Sequence, residues 1–421
     1  MQALILADPL FAGGRFEQRT EILDEVTADK AGATLLNPDE RVYGEDGRAN
    51  RLRLRTNVAL EFGGFHLKGL GTAELVHALG SSGQLDAALP ELYVHRAVGD
   101  FELSAGRKIL RWSNGYAFAP AGLLDPARDP SDPQDRLSRF EGRDVVQADW
   151  YQGAHTLTAV FGPGGFLPEA SPADRPVLAL RYHVLVRGVE LSLMGAHRSE
   201  ERNVFATSVS YVIGSGLELH AEAAGTQGSD VRLPRSILPG QQDSLFGGDY
   251  LASVRSGDRR TYVRWLAGLN YTVPGGLNLI VEYHHAPDML SDEEWARFLG
   301  QARFSIGQLD TGAFPPIAGG RSLPELDLLQ AMQSLGRPGL GRDYLFVRLS
   351  SPRVSGRLEA SALALVNVRD SSLVVVPEVT LAIQRRVSAY ARGNWFVGSA
   401  TSEFGNIPIR MGATLGLRVS F

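Results

Sequence analysis

Arg51, Arg53 and Arg55 stand at every second position of one short segment, and Arg264, Arg348, Arg392, Arg410 and Arg418 hold similar alternate positions further along. A guanidinium presents paired N–H donors that match a carboxylate or a phosphate, so a surface bearing several of them suits the binding or guiding of anions. Glutamates share the alternation: Glu61 follows the first arginine run, and Glu282 stands in a later one. Glu17, Glu21, Glu74 and Glu222 follow the same rule, and the two signs nearly balance. Such rows form either a solute path or a set of ion pairs bracing a wall.

Other chemistry finds less support. Asp125, Asp129, Asp132 and Asp135 gather in one segment as possible oxygen ligands for Ca²⁺, but their spacing matches no EF-hand and prolines interrupt it. His284 and His285 are adjacent, so on a strand their rings point to opposite faces and make a poor metal pair. The chain has no cysteine, which removes disulfides, thiolate ligands and thiol nucleophiles together. It carries no phosphate-cradling glycine loop, no zinc spacing and no Ser/His or Asp/His grouping. We expect no enzyme, no cofactor and no metal. The mild net charge of −5 argues against a nucleic-acid partner.

Residues that alternate must be carried by strands, whose side chains point to opposite faces with a period of two. The C-terminus is the clearest case. Met411, Ala413, Leu415, Leu417, Val419 and Phe421 share one face, while Arg410, Gly412, Thr414, Gly416, Arg418 and Ser420 share the other. That run is long enough to cross a hydrocarbon core at a tilt. Leu52 to Phe62 alternates with the arginines of the first run, and Val263 to Val273 returns through Pro274-Gly275-Gly276 as Leu277 to Tyr283. No stretch approaches eighteen apolar residues, so a helical membrane span is not expected.

Marking every such run predicts about 18 strands, near 15–26, 51–62, 65–78, 90–97, 101–111, 143–151, 154–161, 177–186, 189–197, 203–213, 217–225, 261–273, 277–286, 344–351, 357–367, 373–384, 387–397 and 409–421. Alternate joints are short, among them Gly63-Gly64, Gln152-Gly153 and Arg187-Gly188. The others are mostly long, notably 27–50, 112–142, 226–260 and 287–343. Short turns at one rim and long loops at the other are expected of an outer-membrane barrel. Phe62, Phe65, Phe101, Trp150, Tyr211, Tyr271 and Phe421 fall beside the short-turn rim, where a membrane interface favours aromatic rings.

The last strand, ending Leu415-Gly416-Leu417-Arg418-Val419-Ser420-Phe421, resembles the C-terminal signal by which outer-membrane barrels are recognised for assembly. Gly106-Arg107-Lys108-Ile109-Leu110-Arg111-Trp112, followed by Leu123-Leu124-Asp125-Pro126, is similar to a stretch of porin-like and alginate-export-like barrels. Ser402-Glu403-Phe404-Gly405 is similar to that group too. The resemblance implies a Gram-negative outer-membrane protein, all-β, with residues 1–421 forming a single transmembrane antiparallel barrel of short periplasmic turns and long extracellular loops. It implies outer-membrane lipid and lipopolysaccharide around the wall, and the barrel-assembly machinery as a partner that reads Phe421. Met1 to Ala7 has no basic n-region and too short an apolar run for a signal peptide, so the chain is expected to be the mature form.

The faces opposite the apolar ones would then line a lumen. Closure sets the last strand beside the first, bringing Arg410 and Arg418 near Arg19 and close to Arg51, Arg53 and Arg55. The expected function is a channel for polar, possibly anionic solutes, its path including Glu61 and Glu282. The alternative is a dedicated exporter of a secreted polysaccharide or other polymer, working with periplasmic partners. Segment 287–343 is the expected plug or lid: Ser291 with Glu294 opens a helix near 293–300, and Ser322 with Glu325 opens a second over 326–335, stopped by Gly336.

Overall fold

The computed structural model describes residues 14–44, 47–78, 82–132, 141–163, 176–198, 203–229, 231–238, 250–317, 320–335 and 339–421. The opening residues, Asp135 and Gly336 therefore lie outside the described residues. Eighteen strands form one ring. They are β1 (Arg15–Ala31), β2 (Gly47–Phe62), β3 (Phe65–Ala78), β4 (Gln84–Val98), β5 (Phe101–Lys108), β6 (Arg143–Gln152), β7 (His155–Gly162), β8 (Val177–Val186), β9 (Val189–Arg198), β10 (Val204–Ile213) and β11 (Leu217–Gln227). A two-residue pair, β12 (Leu233–Pro234) and β13 (Leu251–Ala252), sits in the loop that follows. The ring resumes with β14 (Thr261–Thr272), β15 (Asn278–His285), β16 (Asp343–Ser355), β17 (Leu358–Asn367), β18 (Ser372–Gln384), β19 (Val387–Val397) and β20 (Ile409–Ser420).

Each strand pairs antiparallel with the next, and β20 pairs with β1 in the register Ile22↔Val419 and Thr27↔Thr414. The sheet has no free edge, so every wall strand finds its backbone partners within the ring, as a lipid surround requires. The alternation read in β20 holds: Leu415 and Leu417 are exposed on the outer face, while Gly412, Thr414 and Gly416 are buried. At the β2–β3 joint, Gly63 and Gly64 have φ of 53° and 78°, the left-handed backbone that a two-residue hairpin turn needs. Phe62 and Phe65 stack across that turn with ring centroids 5.9 Å apart, at the lower edge of the apolar exterior.

Four strands run well past their pattern, β16 by continuing to Ser355 through the expected turn at Pro352. β1 runs on to Ala31, β2 begins at Gly47 and β4 begins at Gln84. The added pieces place Lys30, Arg48 and Asn50 on the outer face, so the apolar half of the alternation is missing there. In β4 the register shifts between Leu70 and Thr72 of β3, opposite Pro90, which cannot donate to a ladder.

Segment 287–343 lies on the long-loop side. Helix α1 (Asp292–Thr311) opens with the expected capping box at Ser291 and Glu294, but runs past Gly300 to a left-handed Gly312. Helix α2 (Leu323–Leu335) starts three residues before the expected Leu326. Phe298, Leu299, Ala302, Leu328, Ala331 and Leu335 share a core with Leu36 and Val42 of the β1–β2 loop and Leu233 and Ile237 of the β11–β14 loop. Those two loops rise from roughly opposite sides of the ring, and the helices pack against both. Arg41 meets Asp310 at 2.8 Å, and Arg255 meets Glu294 at 2.7 Å.

Candidate functional site

What enters the lumen is the segment between β5 and β6. Two wall glutamates hold it. Glu222 on β11 accepts hydrogen bonds from the Ser113 hydroxyl at 2.9 Å and from the backbone N–H groups of Gly115 and Ala121 at 3.1 Å each, and from that of Asn114. Glu282 on β15 accepts from the N–H of Tyr116 at 2.5 Å and of Ala117 at 2.7 Å, with His220 Nε2 2.9 Å away. Backbone donors with no secondary-structure partner thus find carboxylates, which a buried loop requires.

The segment braces itself as well. Asp125 accepts the N–H of Trp112 at 2.6 Å and pairs with Arg128 at 2.9 Å, and Arg128 also donates to the Gly115 carbonyl. Burial pushes the Asp125 carboxyl above its usual range, while the Trp112 N–H and Arg128 pull the other way. Asp129 accepts from the Ser131 hydroxyl at 2.6 Å, and Asp132 lies 3.5 Å from Arg392 on β19. Among the described residues no three His, Asp or Glu side chains gather as metal ligands.

Apolar contact completes the attachment. Leu110, Trp112, Ala121, Leu123 and Leu124 bury against Val145, Val160, Val177, Ala179, Met194, Ala196, Ala206 and Ala224, the inward side chains of β6 to β11. Further round, the Tyr116 ring sits 5.6 Å from Phe346, and Phe118 stacks on His284 at 4.3 Å. Among the described residues the segment thus packs against β6 to β11 and, through Ala117, against β15 to β18, and a cavity remains beside β19 to β4.

That cavity, of about 350 Å³, is lined by Arg51, Arg53 and Arg55 of β2, Arg392 of β19 and Arg418 of β20. Facing them are Glu21, Glu25, Glu74, Asp86 and Asp132. Glu74 binds Arg51 at 3.0 Å and Arg53 at 2.7 Å, and Glu378 binds Arg392 at 2.8 Å. Arg51 remains 45% exposed. Each bond uses one or two of a guanidinium's five N–H donors, so the acids fix the arginines while leaving donors for a solute.

Of the ten residues expected along the path, these five arginines come together and the other five do not. Arg410 lies at the long-loop rim, 3.4 Å from the Ala33 carbonyl. Arg264 is paired to Asp288 at 2.5 Å, in the segment that follows β15. Arg348 lies 5.4 Å from the Tyr116 ring, and lines a separate cavity of about 390 Å³ with Glu359 and Glu378. Glu61 sits at the short-turn rim, 3.4 Å from His66. Glu282 differs from the expectation of a solute-lining group: its side chain is 0% exposed and accepts hydrogen bonds from the inner segment. The alternation placed it on the inner face rightly but could not say what would cover it.

A closed ring of 18 strands, apolar outside and charged within, is a porin-like barrel of the outer membrane. The sequence matches no protein-family description and no curated protein. Solved structures are similar to it in fold. OccK5 (OpdH) of Pseudomonas aeruginosa has a TM-score of 0.55 at 11% identity, over 96% of this chain and 98% of that one. OccAB1 of Acinetobacter baumannii has a TM-score of 0.55 at 9% identity, over 98% and 97%. OccK11 (OpdR) of P. aeruginosa has a TM-score of 0.52 at 9% identity, over 98% and 96%.

Proposed function

We propose that the chain conducts small polar solutes passively, and that the arginines of the open side guide those carrying a carboxylate or phosphate. The observation behind this reading is the convergence of Arg51, Arg53, Arg55, Arg392 and Arg418 on one water-sided cavity. Guanidiniums held by acids cost nothing to reorganise when an anion arrives, which favours a steady path over tight capture. The facing carboxylates keep the field local, so preference for anions is modest and solutes bearing both charges are accommodated.

Polymer export gains no support from this geometry, since the segment that narrows the lumen is pinned to the wall by two buried glutamates.

Single-channel recording of the refolded chain in a salt gradient tests the proposal. Wild type should favour anions, and the triple variant Arg51→Glu, Arg53→Glu, Arg55→Glu should favour cations at similar conductance. An unchanged reversal potential would remove these arginines from the path.

A further inference from the structure

The outer surface carries a second built feature, independent of what passes through the lumen. Across the closing seam, β18, β19, β20, β1 and β2 form a lipid-facing groove of about 490 Å³. Its floor is a cross-strand row of small residues: Gly393 pairs with Ala413, and Ala413 with Ala28. Next in that row comes Arg48, registered with Ala28. One row nearer the long-loop rim, Trp395 pairs with Met411 and Met411 with Lys30. The Trp395 ring lies over Gly393, where a Cβ would meet it at 2.5 Å.

The cations are out of place in a purely apolar wall. Lys30 and Arg48 are exposed on the face that carries Val26, Leu52 and Leu415. Neither has an ion pair or hydrogen bond among the described residues. The acid on the same face, Asp24, accepts a hydrogen bond from Asn50 at 3.1 Å and does not line the groove. Asp29 and Glu378 also border the groove but belong to the inward face, Asp29 beneath Gly412 and Glu378 bound to Arg392 at 2.8 Å. Cations on a lipid-facing surface are costly away from the headgroups and favourable beside anionic ones. An indole at the same level marks the interfacial region, and the long loops mark this as the outer leaflet.

We propose that the groove holds one phosphorylated lipid of that leaflet, the lipid A part of lipopolysaccharide. Its phosphate rests on Lys30 and Arg48, and one acyl chain crosses Ala28, Ala413 and Gly393 below Trp395. The small floor gives a chain a bed that a wall of leucines would fill, and the two cations at one end give it a direction.

Native mass spectrometry of the full chain in zwitterionic detergent, after incubation with lipid A, tests this. Wild type should retain one lipid A, and Lys30→Gln with Arg48→Gln should lower retention by about tenfold or more. Lipid A stripped of its phosphates should be lost as readily as from the double variant. Ala413→Phe, which fills the floor and keeps both cations, should also release it, and decides the matter if the double variant fails to refold. Single-channel conductance should be the same in all, because these side chains lie outside the lumen. Equal retention by the variants, or equal retention of the phosphate-free lipid, would overturn the proposal.

Discussion

The two sides of this lumen share one strand pattern and end up unlike. From β6 to β11 the inward positions of the half nearer the long loops are largely small or apolar, with Ala179, Ala196, Ala206 and Ala224 leaving room that the described part of the β5–β6 segment occupies, while Asp149, Arg181 and Glu190 stand nearer the short turns. From β19 through β4 the inward positions are charged and branched, and the space in front of them stays open. Side-chain size near the long-loop end of the inner face marks where the segment packs. Charge then decides how the boundary is fastened: buried glutamates hold the segment on the filled side, and ion pairs hold the arginines on the open side.

The sharpest way to break this contrast is to release the segment. Glu222→Ala with Glu282→Ala leaves several backbone N–H groups without acceptors, at about 1–3 kcal/mol each where they stay buried. The segment should leave the wall, and single-channel conductance should rise roughly twofold or more. Unchanged conductance would mean that apolar packing alone holds it. Next in size, Ala206→Phe overfills the closed side and should lower stability by about 1–3 kcal/mol in a denaturant titration, with ion selectivity untouched. A selectivity change would show that the filled side also meets solute.

The helices of 287–343 offer a gentler test. Burial alone would raise the Glu294 carboxyl, but hydrogen bonds from Arg255 hold it below its usual range, and Arg264 does the same for Asp288. A carboxylate with a lowered folded pKa contributes stability above its unfolded value, and that contribution is lost as pH falls through and below it. Protection factors for hydrogen exchange over 292–311, taken against the intrinsic rate at each pH, should therefore fall below about pH 4, while those of the segment inside the lumen hold. Smallest of all, Glu74→Gln removes the acid shared by Arg51 and Arg53 and should raise anion preference by about twofold, read as a shift in reversal potential.

The strands were legible because a membrane wall enforces the period of two at nearly every position. Where it does not, the reading stopped short: Thr27 to Ala31 and Gly47 to Asn50 carry no apolar alternation, and Pro90 hid the start of β4. The arginine cluster was half legible. Parity put all the arginines on one face, but height along the wall is set by register, which separated Arg410 from Arg418. The inner segment was missed, although a signal existed. Leu110, Trp112, Leu123 and Leu124 are apolar residues in a loop, and the alanines at alternate positions of β8 to β11 are the surface that could bury them. Segment 287–343 drew attention by length, which speaks of a lid or a plug equally.

The seam has a consequence in time. Thr20 and Phe421 exchange backbone hydrogen bonds, the N–H of Phe421 donating to the Thr20 carbonyl at 2.8 Å. The pair at the seam thus joins the first strand to the residue that follows β20. No partial product of synthesis can close, and a chain cut before β20 would present two raw edges to the bilayer. The wall's soundness in lipid is therefore a property of the whole ring, reached only when β20 is in place beside β1.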